Sequence, residues 1–109
     1  MEDNDFGAAV EIAKTAEALG LWIAVDASYG TLNVFNQNGV RLAAAIAKEV
    51  KDAPIVLMHL GGRLALEAMA VALAAPNVML EMSLSIPFWL GSSVEQDFAF
   101  AIRQVGAHR

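Results

Sequence analysis

At 109 residues the chain has room for one domain or part of one. Only 17% of residues are charged and the net charge is -5 with no dense Lys/Arg cluster, which argues against nucleic acid and anionic membrane surfaces as partners. With no cysteine, disulfides and thiolate metal sites are excluded as well.

In chain order, Asp5 is placed to cap a first helix that runs to about Leu19 and stops at Gly20. Its apolar positions, Phe6, Ala9, Ile12, Ala13, Ala16 and Leu19, recur at helical spacing. Leu21 to Asp26 follows as a buried strand, rich in aromatic and branched side chains. A long loop over Ala27 to Gly39 leads to a second helix, about Val40 to Lys51, with Leu42, Ala43, Ile46, Ala47 and Val50 on one side. Ile55 to His59 is the second strand, and Arg63 to Ala75 is a third helix, apolar nearly all round and so expected to be buried on more than one side. Pro76-Asn77 breaks it. Val78 to Met82 is the third strand, Ser83 to Ser92 a loop, and Ser92-x-x-Glu95 a capping box. The last helix carries Val94, Phe98, Ala101, Ile102 and Val105 and stops near Gly106.

Strands alternating with helices imply right-handed crossovers and a parallel sheet, so the fold class is α/β in α(βα)₃ order with about three parallel strands. Three strands are few for such a sheet, and 57% hydrophobic residues are more than a small domain buries easily. Both outer strands would leave apolar edges unpaired. Residues 1–109 therefore read as a single partial domain, a segment of a larger sheet or barrel. The acidic start, Met1 to Asp5, is the opposite of a signal peptide's basic region. The most apolar window, Leu64 to Ala75, contains Glu67 and falls short of the roughly 20 residues a membrane span needs. A soluble, cytoplasmic protein is the expectation.

Asp26, His59 and Glu81 fall at or near the carboxyl ends of successive strands, where α/β folds place their chemistry. Two carboxylates and an imidazole suit a divalent metal or acid–base work. Plainer readings stand beside this one. His59 suits a hydrogen-bonded structural role, Asp26 suits a turn cap, and Glu81 suits a wet mouth or a basic partner. Gly61-Gly62 suits a tight strand-to-helix turn as well as a phosphate cradle. Ser28, Ser83, Ser85, Ser92 and Ser93 lack a nucleophile-elbow context. Ile86 to Leu90 reads as an apolar pocket wall or as surface awaiting a cover. His108 lies in the last residues with Arg109, where fraying is expected, and takes no role.

Val56-Leu57-Met58-His59-Leu60-Gly61-Gly62, then an Ala/Leu-rich helix, then Pro76-Asn77-Val78-Met79-Leu80-Glu81-Met82-Ser83 resembles the amidohydrolase-related family of metal-dependent TIM-barrel hydrolases and decarboxylases. The resemblance implies a partial TIM-like (β/α) barrel from the middle-to-late part of the domain. It implies that His59 is a metal ligand, and that Glu81 and Ser83 are structural or pocket-lining. Asp26 stands where the family often has another histidine ligand, so it is the second candidate ligand. The family's early His-x-His strand has no counterpart here, and its late Gly-Ser-Asp aspartate would be expected just after Arg109.

The chain thus reads as a fragment of a metal-dependent hydrolase that is not active alone and contains no complete catalytic set. The cofactor implied is zinc or manganese, and the partners are a small-molecule substrate and a complementary barrel part or a second copy. The alternative is a non-catalytic α/β module that self-associates through exposed sheet edges. A phosphate-ligand binder built on Gly61-Gly62 ranks below both.

Overall fold

A computed structural model describes residues 6–28 and 38–109. The elements run α1 (Gly7–Ala18), β1 (Ile23–Val25), α2 (Gly39–Glu49), β2 (Ile55–Leu57), α3 (Ala65–Ala74), β3 (Val78–Leu80), α4 (Ser85–Trp89) and α5 (Ser93–Val105). The strands form one parallel sheet in the order β1-β2-β3. The expected α/β alternation is present, with α4 as an addition.

Each strand is shorter than its apolar run. Asp26, His59 and Glu81 all lie beyond the last paired residue. The expected cap Asp5 and most of the loop after Ser28 lie outside the described residues. Asn38 caps α2, its side-chain oxygen accepting the Arg41 N–H at 3.0 Å. Ser92 caps α5 as expected, its hydroxyl oxygen accepting the Val94 N–H. Glu95 reaches one residue further back than a capping box requires and accepts the Gly91 N–H at 2.8 Å.

Register sorts the sheet into rows. Ile23, Ile55 and Val78 pair side by side, as do Val25, Leu57 and Leu80, and these two rows share one face. The helices cover that face: Ile55, Leu57 and Val78 are fully buried with Val40, Ala43, Ile46 and Val50 of the α2 region. The row Ala24, Val56 and Met79 points the other way, and nothing among the described residues covers it as completely. Trp22, on the Ala24 side, stays 68% exposed. Helices therefore cover the sheet unequally.

A second cluster joins Leu60 and Ala65 to Phe98 and Ala101 of α5, all fully buried. Here α3 meets α5, which accounts for part of its apolar surface. The expectation of burial on several sides fails for the rest: Leu66 and Leu73 are exposed. α1 also keeps apolar surface outside. Of its apolar positions only Ala13 is buried, while Ile12 and Leu19 are exposed.

The chain end departs from the fraying expected of it. The Arg109 guanidinium donates to the carbonyls of Ala72, Ala75 and Val78, and the Arg109 carbonyl accepts the Leu80 N–H at 2.7 Å. Carbonyls at the end of α3 and the start of β3 thus gain a cation, the Ala75 carbonyl in addition to the Val78 N–H that it accepts at 3.0 Å. Among the described residues, no helix is long and apolar enough to cross a membrane.

Candidate functional site

The parallel register brings the ends of β1, β2 and β3 to one edge of the sheet, and the side chains after them meet there. Asp26 follows β1 directly. Its carboxylate accepts the Ser28 N–H at 2.8 Å, the turn cap that its position suggests. That bond is the main reason its carboxyl lies below the ordinary value of 3.8, against a smaller opposing effect of burial.

His59 does not close β2 as its place in the apolar run suggests. The strand ends at Leu57, and a tight turn over Met58–Leu64 intervenes before α3. His59 and Leu60 hold left-handed φ values of 61° and 52°, followed by Gly61 at 75° and Gly62 at 55°. Two non-glycine residues in this region cost on the order of 1–2 kcal/mol each. Burial of Leu60 against Phe98 and Ala101 offsets part of that cost. Gly61 also has no room for a side chain, since a Cβ there would stand 2.8 Å from the Ala68 Cβ. The glycine pair thus serves a tight turn.

The turn swings the His59 ring over the sheet edge, where only 13% of the side chain is exposed. Its Nδ1 lies 2.7 Å from the Ser83 carbonyl oxygen. A carbonyl only accepts, so Nδ1 donates and carries the proton. In the neutral ring Nε2 then has a free lone pair, and it faces the Asp26 carboxylate at 3.7 Å. Two ligand atoms about 2.0–2.2 Å from a tetrahedral ion sit about 3.4 Å apart, close to this spacing. Metal-bound histidines commonly give their other ring proton to a carbonyl or carboxylate, as His59 does to Ser83.

Glu81 follows β3 and is engaged from three directions. One oxygen accepts the Ser83 N–H at 2.6 Å; the other accepts the Ser83 hydroxyl at 2.9 Å and the His59 N–H at 3.2 Å. Burial raises its pKa, but the bonds from Ser83 and His59 outweigh it and leave the carboxyl below its ordinary value of 4.5. With its oxygens so occupied, and His59 Nδ1 at 4.0 Å, Glu81 is a poor metal ligand in this arrangement. Ser83 Oγ lies 3.2 Å from His59 Nδ1, but that nitrogen carries a proton and the hydroxyl hydrogen goes to Glu81. The geometry does not activate Ser83 as a nucleophile.

Among the described residues no group of three His, Cys, Asp or Glu side chains is arranged to hold a metal ion. His59 and Asp26 fit two positions of a site that needs three protein ligands for catalysis. His108 is exposed beside Gly106 and does not join them. The sequence had no signal for the Ser83 carbonyl, since a backbone acceptor leaves no trace in residue identity. No family model, no curated protein and no solved structure matches the chain.

Proposed function

We propose that this chain is part of an amidohydrolase-type (β/α) barrel, a metal-dependent hydrolase or decarboxylase acting on a small molecule. In this reading His59 Nε2 and the Asp26 carboxylate are two ligands of its divalent metal, zinc or manganese. The observation that carries the reading is the His59 ring itself: its Nδ1 proton is committed to Ser83, and its Nε2 faces Asp26 at 3.7 Å. The unequal cover of the sheet supports the barrel. Parallel sheets are normally buried on both faces, and a barrel buries the second face by closing on itself. The row Ala24, Val56 and Met79 is small or apolar, as a barrel interior requires.

Bound there, the metal supplies an activated water or polarises a substrate carbonyl. His59 and Asp26 orient it, and further ligands come from outside the described residues. The chain alone is therefore expected to bind metal weakly and not to turn over substrate. Elemental analysis of the protein dialysed to equilibrium against zinc or manganese tests the assignment. Metal retained by the unaltered chain and lost from His59→Ala supports it; equal metal content in both sinks it.

A second reading, a non-catalytic module that self-associates, rests on a different observation. Among the described residues β1 pairs only with β2, and a groove of about 400 Å³ follows its open side, lined by Ile12, Trp22 and Leu42 among others. Sedimentation decides it, because a well-dispersed monomer over a wide concentration range contradicts association through that edge.

A further inference from the structure

Glu81 joins the two pieces of chain that set the His59 ring. Its backbone carbonyl accepts the Leu60 N–H at 2.7 Å, and its N–H goes to the Leu57 carbonyl at 3.0 Å. Its carboxylate accepts the N–H of His59, and both the N–H and the hydroxyl of Ser83. The left-handed turn that carries the ring, and the residue whose carbonyl takes the ring proton, are therefore tied to one side chain. A carboxylate suits the task because it accepts at both oxygens and donates at neither. A glutamine in its place would turn an amide NH₂ toward one of these donors.

We propose that Glu81 is a positioning residue: by clamping the His59 N–H and the Ser83 N–H together it selects the Nδ1-protonated ring and leaves Nε2 open toward Asp26. The purpose of this clamp rests on the metal-site reading, but the tautomer can be measured without metal. The direct distance from Glu81 to Nδ1 is 4.0 Å, too long for a hydrogen bond, so the influence passes through Ser83. Ser85 reinforces the same acceptor, its hydroxyl reaching the Ser83 carbonyl at 3.4 Å. Loss of such outer partners typically weakens metal binding about 10–100-fold.

The test is ¹⁵N NMR of the His59 ring in the metal-free full chain, followed by titration with Zn²⁺ alone. The unaltered chain is expected to show the Nδ1-protonated form, and Glu81→Gln a mixture of tautomers with Zn²⁺ affinity reduced about 10–100-fold. Ser83→Ala keeps the carbonyl and is expected to keep the tautomer. If Glu81→Gln does not fold, Glu81→Asp takes its place, since the shorter carboxylate cannot span both amides and again predicts a mixture. An Nε2-protonated ring in the unaltered chain overturns the proposal. So does an unchanged tautomer in the folded Glu81 variant, whatever its stability. A chain that binds no Zn²⁺ defeats the metal-site reading instead, and the tautomer result still decides the role of Glu81.

Discussion

The His59 ring and the Ser83 carbonyl fix each other across neighbouring strand ends, with Nδ1 donating at 2.7 Å. Their bond leaves Nε2 as the one ring atom free to meet a ligand, and Asp26 stands beside it.

Asp26 is the partner whose removal separates binding from stability. Its side chain is 60% exposed and accepts the Ser28 N–H. Asp26→Ala is expected to cost only about 0.5–1.5 kcal/mol in urea unfolding. The same substitution is expected to weaken Zn²⁺ binding more than tenfold in calorimetric titration.

The turn after β2 is expected to resist side chains at its glycines. Gly61→Ala combines a φ of +75° with a 2.8 Å approach to Ala68, and is expected to lower stability by about 2–4 kcal/mol. Gly20 has a similar φ of +72° but open space around it. Gly20→Ala is therefore expected to cost only about 1 kcal/mol. Chemical denaturation of the two variants side by side measures the difference, which is the contribution of packing.

Arg109 predicts a local effect. Removing its guanidinium leaves the Ala72, Ala75 and Val78 carbonyls without their shared donor. Arg109→Ala is expected to cost about 1.5–3 kcal/mol, the range for hydrogen bonds to a charged group. Hydrogen exchange at the Leu80 amide, whose acceptor is the Arg109 carbonyl, is expected to quicken more than exchange in β1.

Acid sensitivity follows from Glu17, whose carboxylate accepts the N–H of Asp52 at 2.8 Å and of Ala53 at 3.1 Å. These bonds hold its carboxyl below the ordinary value of 4.5. The folded-state value is the depressed one, so the stabilisation is full above 4.5 and disappears as pH falls through the folded value. Glu17→Gln keeps a carbonyl acceptor without the titration. Urea midpoints measured down to about pH 3 are expected to fall less steeply for the variant.

Much of the fold was legible because burial leaves a periodic trace. Ala43, Ile46, Ala47 and Val50 of the second helix, and Phe98, Ala101 and Val105 of the last, are buried where helical spacing puts them. α4 was less visible, since Pro87 resembles a breaker; proline is tolerated in a first helical turn, where α4 has it. Strand ends are hard to place from sequence because apolar character continues after pairing stops: Met58 and Met82 look like strand and are not. Asp26, His59 and Glu81 could be placed at one sheet edge from alternation alone. The left-handed turn at His59 and Leu60 could not, because non-glycine residues there give no local signal and tertiary bonds hold the conformation. Arg109 was hidden for a similar reason, its three acceptors being backbone atoms remote in sequence.

The central claim is that His59 and Asp26 face a common divalent metal, and its most direct measurement is a Zn²⁺ titration of the full chain followed at the His59 ring nitrogens. The account predicts a saturable shift at Nε2 with Nδ1 still protonated, its midpoint raised more than tenfold in Asp26→Ala. A shift at Nδ1 instead, or no shift at either nitrogen at saturating Zn²⁺, would contradict it.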